Sequence, residues 1–142
     1  MTNFWANWLK IWCWGVLAFG MLLVTAAIPP IDGAIRALFA ILSDNVEIAA
    51  SFDLPAVKFG LGLQGAITMG WAITMFAAMS AAHALGATIW RTLAQGIVVW
   101  YLVDSTISVS TGFALNAGSN TVLLVLFLIP VLASGVLNEK AA

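Results

Sequence analysis

The stretch W-Y-L-V-D-S-T-I-S-V-S-T-G, residues 100 to 112, places one carboxylate, Asp104, inside an otherwise apolar run. Hydroxyl residues follow the carboxylate closely. A charged side chain at the centre of a bilayer costs about 2.5–3.5 kcal/mol on insertion scales, so such residues face partners or cavities and often mark functional sites. We therefore predict that Asp104 faces a partner or a cavity or stays protonated, and we take it as the leading candidate for a functional residue.

The composition around this stretch indicates a membrane protein. Of the 142 residues, 63% are hydrophobic and only 8% are charged, and the mean hydropathy is +1.05. Soluble domains carry about 25% charged residues. The formal net charge of -1 and the lack of a basic cluster argue against a nucleic-acid partner. No zinc-protease, hydrolase or other nucleophile-and-base motif is present, so we predict a protein that is not an enzyme.

The charge-free runs predict an all-α integral membrane protein with four transmembrane helices. Residues 11 to 31 carry no charge, and at about 1.5 Å per residue this run crosses a core of about 30 Å. A cleaved signal peptide is the alternative, but the run is long for one. Residues 1–142 form one predicted membrane domain, an antiparallel bundle with spans at about 9–29, 54–83, 91–112 and 120–137.

A short amphipathic helix is predicted at about 31–42, between the first and second spans. Pro29 and Pro30 end the first span, and apolar residues then recur at helical spacing. Such a helix is expected to anchor at the membrane interface, and a lid or docking helix is the alternative. Asp44 to Asp53 form a polar loop, after which Asp53 is expected to cap the second span and Pro55 to occupy its first turn.

Charge placement predicts cytoplasmic termini in a bacterial inner membrane. Four spans put both termini on one side, together with Lys10, Arg91 and Lys140. The other side holds Arg36 and Lys58, which the acidic loop dilutes. Positive residues are enriched in cytoplasmic segments, so this weak bias favours cytoplasmic termini.

Depth matching predicts a polar cluster around Asp104. Counting from the helix ends places Gln64 of the second span at the same depth. In the fourth span, Pro130 frees the carbonyl of Leu126, which a protonated Asp104 could contact. The predicted intramembrane cluster comprises Asp104, Gln64, Ser108, Thr111, Trp100 and Pro130. Hydrogen-bonding glue between helices is one interpretation, and a proton, ion or ligand site is the other.

Small residues recur every four positions along the second span and predict a helix-packing face. Its members are Gly62, Ala66, Gly70, Thr74, Ala78 and Ala82. Small side chains let membrane helices approach closely, which drives their association in lipid. The face is expected to pack within the bundle or against another subunit or a second copy of the chain.

The single histidine, His83, is a weak candidate ligand for a tetrapyrrole. A small residue shortly before a histidine lets a macrocycle lie flat, but one histidine without a second ligand is more often an interfacial residue. We predict no metal and no cofactor; bound lipid is expected, and a tetrapyrrole or carotenoid is the alternative. Trp71 lies in mid-span, where it could pack or line a pocket for an apolar or cationic ligand.

Three function classes are consistent with these patterns. The favoured one is a non-catalytic accessory or assembly subunit of a larger membrane complex, with the lipid bilayer and other membrane subunits or itself as partners. The second is a small proton- or ligand-coupled transporter or carrier that uses Asp104. The third is a pigment- or haem-associated subunit that uses His83.

Overall fold

The structure, a computed structural model, describes residues 1–43 and 45–138, which contain helices and no β-strand. The α-helices are α1 (Asn3–Val24), α2 (Gly33–Ser43), α3 (Val46–Ala50), α4 (Pro55–Leu85), α5 (Ala87–Ser110) and α6 (Ala114–Ala133). Short 3₁₀ turns follow α1, precede α2 and α4, and follow α6. Asp44 of the predicted polar loop and Lys140 of the predicted cytoplasmic side lie outside the described residues.

Four of these helices are long and apolar enough to cross a membrane, which confirms the predicted helical class and the number of long apolar helices. They are α1 with its following turn, α4, α5 and α6. Their ends differ from the predicted ones. The first helix begins at Asn3 rather than at residue 9, and α5 begins at Ala87 rather than at 91. The last, α6, begins at Ala114 rather than at 120.

Proline and glycine set the two ends of α4 as the sequence predicts. Pro55 occupies the first helical position, where its missing N–H is not needed. Gly86 ends the helix with a φ of 81°, and the next helix starts at the following residue. The predicted cap by Asp53 is wrong: no side chain caps α4, because the Asp53 carboxylate binds basic side chains instead.

The predicted polar loop before α4 contains the short helix α3. Asn45 caps this helix, since its side-chain oxygen accepts hydrogen bonds from the backbone N–H groups of Glu47 and Ile48 at 2.8 and 3.2 Å. The segment is therefore ordered by local side-chain to backbone bonds.

Two glycines bring α1 and α4 into backbone contact. A Cβ added to Gly65 would lie 2.6 Å from the carbonyl oxygen of Gly20 and 2.7 Å from the backbone nitrogen of Val24. A Cβ on Gly20 would lie 3.0 Å from the Gly65 oxygen. Only glycine fits at this crossing, which is the close approach that small residues permit in lipid.

The predicted packing face of α4, called the α4 ridge below, is only partly used inside the molecule. At its ends, Gly62 approaches Ala27 and Ala82 is buried. Between them Ala66, Gly70 and Thr74 are exposed, and Ala78 is half-buried. The α1–α4 contact lies beside the ridge, because Gly65, which is next to Ala66, lies against Gly20 and Val24 of α1.

Two tryptophans tie α1 to α6. The indole N–H of Trp8 donates to the carbonyl of Leu126 at 2.8 Å, and that of Trp12 donates to the carbonyl of Leu123 at 3.0 Å. Trp12 and Trp90 are buried in the core. Trp12 packs there and donates its hydrogen bond, whereas the buried indole nitrogen of Trp90 has no hydrogen-bond partner among the described residues.

The core consists of two clusters of buried side chains. The larger one joins α1, α4, α5 and α6 around Trp12, Trp90 and Phe127. The smaller one joins the end of α1 to α2 and the turn before α4, around Leu23, Phe39 and Phe52. A cleft lined by members of both clusters opens beside Asp104.

Candidate functional site

The turn between α5 and α6 places Asp104 against the start of α6. The turn is short because Gly112 adopts a φ of +87°, a left-handed conformation that side chains rarely tolerate. The backbone N–H of Phe113 donates to the carbonyl of Ser108 at 2.7 Å and closes the turn. The first two turns of α6 therefore face the last two turns of α5.

One oxygen of the Asp104 carboxyl group accepts three hydrogen bonds. Oδ1 accepts from Nδ2 of Asn120 at 2.7 Å, from Nδ2 of Asn116 at 3.2 Å and from the hydroxyl of Ser108 at 3.2 Å. The Asn116 amide also donates to the Ser108 hydroxyl at 2.9 Å. Two helices are thus joined through a single acceptor atom, a close-knit polar network in an apolar setting.

The second carboxyl oxygen, Oδ2, takes no part in this network. Oδ2 accepts no hydrogen bond from the described residues, and Asp104 is half-buried and lines the cleft. In residues 1–43 and 45–138, no lysine, arginine or histidine forms an ion pair with it. The carboxyl group therefore presents one free acceptor to whatever occupies that space.

The two predicted neighbours of Asp104 do not bind it. Gln64 lines the same cleft but makes no hydrogen bond to the carboxyl group. The carbonyl of Leu126, freed by Pro130 as expected, accepts the indole N–H of Trp8 instead. The physical premise was correct, since the freed carbonyl does find a side-chain donor, but the donor comes from α1.

The other predicted members of the cluster lie around the same cleft. Ser108 binds Asp104 directly, donating to its backbone carbonyl at 2.8 Å as well as to Oδ1. Trp100 lines the cleft one helical turn away. Thr111 also lines it, but its hydroxyl donates to the carbonyl of Ile107 at 2.8 Å.

Sequence reasoning missed Asn116 and Asn120, which both donate hydrogen bonds to Oδ1 of Asp104. The predicted last span starts at about residue 120, which leaves Asn116 before the helix and Asn120 at its first position. In the structure Gly112 makes the turn, so α6 starts at Ala114 and both asparagines lie within it. Their spacing of four residues puts them on one face of a helix, and this was the signal available in the sequence.

The cleft has a volume of about 620 Å³ and combines apolar walls with a polar end. Pockets for small organic ligands typically measure about 300–1,000 Å³ and have mostly apolar linings with few polar groups. Three of its lining residues are tryptophans. The ring centroids of Trp12 and Trp71 lie 5.7 Å apart, and those of Trp71 and Trp100 lie 6.1 Å apart.

The helix α2 forms one wall of the cleft and turns its apolar face inward. Ile35 and Phe39 are buried, and Leu38 and Leu42 line the space beside them. Ile41 lies on the outer side and is exposed.

Four charged side chains, called the charge cluster below, hold α2 to the start of α4. Arg36 donates to both oxygens of Asp53 at 2.8 Å and to Asp32 at 3.1 Å, and Lys58 lies 3.2 Å from Asp32 and 3.3 Å from Asp53. The hydrogen bond from Arg36 is the main reason that the pKa of Asp53 lies well below its usual value, and the same bond raises the pKa of Arg36. The guanidinium also stacks 4.4 Å above the ring of Phe52.

His83 lies near the end of α4, away from this cleft. Its Nδ1 lies 2.7 Å from the carbonyl of Met79, and its ring packs edge-on against Trp90 at 5.2 Å. A proton on Nδ1 would leave Nε2 as the nitrogen with a free lone pair. The described residues contain no group of three or more His, Cys, Asp or Glu side chains that could hold a metal ion.

The arrangement around Asp104 can bind a ligand by charge, by a hydrogen bond and by aromatic contact. Fold and site together define a helical protein with four helices fit to cross a membrane and a ligand-sized cleft among them. Comparison of the chain with protein-family models, curated proteins and solved structures finds no match in any of the three.

Proposed function

We propose that the chain is a non-catalytic integral membrane protein that acts as an accessory or assembly subunit of a larger membrane complex. In this proposal α1, α4, α5 and α6 form an antiparallel bundle across a bacterial inner membrane, and α2 lies at one interface. The observation that carries the subunit role is the open α4 ridge. Internal packing at Gly20 and Gly65 leaves Ala66, Gly70 and Thr74 exposed.

The physical argument concerns how helices associate in lipid. Apolar surface alone does not drive association there, because lipid tails are as apolar as leucine; close packing of small residues does. A Cβ added to Gly70 meets no atom within 4 Å, so this part of the ridge has room for another helix to approach. Partner membrane subunits and a second copy of the chain both fit this face.

A matched pair of glycine substitutions tests the subunit role. Gly70→Leu fills the ridge, whereas Gly96→Leu adds the same side chain to α5, where a Cβ also meets nothing within 4 Å. After purification in mild detergent, native mass spectrometry should show wild type and Gly96→Leu associated with other subunits or with themselves. Gly70→Leu should be monomeric, and a wild-type chain that purifies alone as a monomer contradicts the subunit role.

The proposed orientation has cytoplasmic termini. Arg36 and Lys58 are paired with Asp32 and Asp53 in the charge cluster, whereas Lys10 and Arg91 lie near the opposite helix ends. The unopposed positive charges then lie on the cytoplasmic side. A reporter fused after residue 142 that is active only outside the cytoplasm would overturn this orientation.

A second candidate function is a small ligand carrier or transporter, and the cleft at Asp104 favours it. A hydrogen-bonding link between helices needs only enclosed partners, but Asp104 lines a space of about 620 Å³ and its Oδ2 accepts no hydrogen bond from the described residues. The carboxyl group and the cleft are the features that a bound ligand would use. Binding of any small molecule in the cleft by the purified protein supports this function.

The pigment-associated alternative stays a prediction based on His83. The proximity of Nδ1 to the Met79 carbonyl is consistent with an Nε2 that could ligate a tetrapyrrole. An absorption spectrum of the protein purified from its native membrane tests it, because a tetrapyrrole or carotenoid absorbs visible light. A colourless preparation would remove this alternative.

A further inference from the structure

The cleft contains a negative group without a positive partner. Asp104 lines the cleft; its Oδ1 accepts hydrogen bonds from three donors of the protein, and its Oδ2 accepts none from the described residues. The basic side chains Arg36 and Lys58 are engaged with Asp32 and Asp53. A nearby cation favours the ionised form of a partly buried carboxyl group. The occupant that complements this site is therefore positively charged.

The walls of the cleft specify the rest of the occupant. Trp100 lies on the same helix face as Asp104, one turn away, and its ring lies beside that of Trp71 with 6.1 Å between centroids. Tryptophan faces attract cations, with organic ammonium groups as a well-known case. Towards α2, Phe39 and Leu42 make the wall apolar, which excludes a small hydrated metal ion as the best-matched occupant.

We propose that the cleft binds a lipophilic organic cation, with its positive centre between Asp104 Oδ2 and the rings of Trp71 and Trp100 and its apolar body against α2. This inference rests on the ligand-carrier candidate and deepens it by naming the class of ligand; it does not depend on subunit association. The volume of about 620 Å³ matches a molecule of drug size.

Three aryl probes of different charge test the proposal; the cation and the anion have nearly the same shape, and the neutral probe is one phenyl group smaller. They are tetraphenylphosphonium, which is cationic, triphenylphosphine oxide, which is neutral, and tetraphenylborate, which is anionic. Titration calorimetry of the full chain in a neutral detergent should show the phosphonium binding at least tenfold more tightly than the other two. Equal affinities would overturn the cation preference but keep the carrier function, whereas no binding of any probe would argue against both.

Substitutions of acidic residues locate the site. Asp104→Asn keeps an oxygen acceptor for Asn120 and removes the charge, so the chain should fold and bind the phosphonium at least tenfold more weakly. Asp104→Glu should retain most of the affinity. Glu47→Gln is the matched control, because it removes one negative charge from an exposed position outside the cleft. An unchanged affinity in Asp104→Asn would overturn the proposal.

Substitutions of Trp71 give an independent test should Asp104→Asn fail to fold. Trp71→Phe keeps an aromatic face in the cleft, and Trp71→Leu removes it. The phosphonium should bind Trp71→Leu at least threefold more weakly than Trp71→Phe. Equal affinity in the two variants would show that the aromatic face does not contact the cation.

Discussion

Replacing Asn120 by leucine removes the shortest hydrogen bond to Asp104 and roughly preserves the side-chain volume. Asn120 is buried, with 4% of its surface exposed, and its Nδ2 lies 2.7 Å from Oδ1. The Asp104 oxygen keeps its bonds from Asn116 and Ser108, both at 3.2 Å. The substitution therefore removes this bond and the longer 3.4 Å bond from Nδ2 to the Ser105 hydroxyl without leaving Oδ1 unsatisfied, so the free energy of unfolding should fall mainly by the contribution of the bond to Asp104.

The magnitude follows from two ranges. A hydrogen bond to a charged group contributes about 1.5–3 kcal/mol in soluble proteins. Hydrogen bonds between membrane helices average about 0.6 kcal/mol and reach about 1.7 kcal/mol, because the unfolded chain in lipid also finds partners. The short distance places Asn120 at the upper end of the membrane range, so we expect a loss of about 1–1.7 kcal/mol.

A double-mutant cycle measures this bond apart from other effects. Unfolding by sodium dodecyl sulfate in mixed micelles is measured for Asn120→Leu, Asp104→Leu and the double variant. The expected coupling energy is about 1 kcal/mol or more, whereas the cycle with Asn116→Leu should give a smaller value because its bond to Oδ1 is longer. A coupling below about 0.5 kcal/mol for Asn120 lies within ordinary additivity error and would refute the reasoning.

Three further predictions concern other contacts. Gly65→Ala should lower the unfolding free energy by about 1–3 kcal/mol in the same detergent titration, because its Cβ would meet backbone atoms, whereas Gly96→Ala should raise it by up to about 1 kcal/mol. The pKa of Asp53 is lowered in the folded chain, so its stabilising contribution is present above about pH 4 and is lost as the pH falls towards the folded pKa. In a plot of the unfolding midpoint against pH, Asp53→Asn should therefore reduce the fall of the midpoint below about pH 4. Trp8→Phe should destabilise the chain by about 1 kcal/mol, and by less in a Pro130→Ala background, where the freed carbonyl regains a backbone donor.

The sequence predicted the long helices well because their signal is local. A charge-free run indicates a long helix within its own segment, and the structure has four such helices. Pro55 and Gly86 indicate helix ends in the same way, and α4 begins at Pro55 and ends before Gly86. The start of α6 was predicted at about residue 120. In the structure Gly112 alone turns the backbone, and α6 begins at Ala114. Because the helix begins earlier than predicted, Asn116 and Asn120 lie within it and donate hydrogen bonds to Asp104.

Contacts between distant helices were predicted less well for a different reason. Depth along a helix can be counted from its ends, and Gln64 does share the cleft with Asp104. Rotation about the helix axis cannot be counted in this way, because small shifts in packing decide which side chain meets which. The same limit explains why Gly65, beside the predicted α4 ridge, makes the closest contact with α1.

The two oxygens of Asp104 show why structural glue and a ligand site need not be competing interpretations. Oδ1 is occupied by donors from both α5 and α6, which is what a link between helices requires. Those same donors hold the carboxyl group, whose Oδ2 accepts no hydrogen bond from the described residues, in one orientation at the cleft, and an oriented group loses less entropy when a ligand binds. The hydrogen bonds to Oδ1 therefore favour ligand binding at Oδ2. The two roles then separate by substitution, because Asp104→Asn retains an oxygen that accepts from Asn120 but removes the negative charge that would attract a cation.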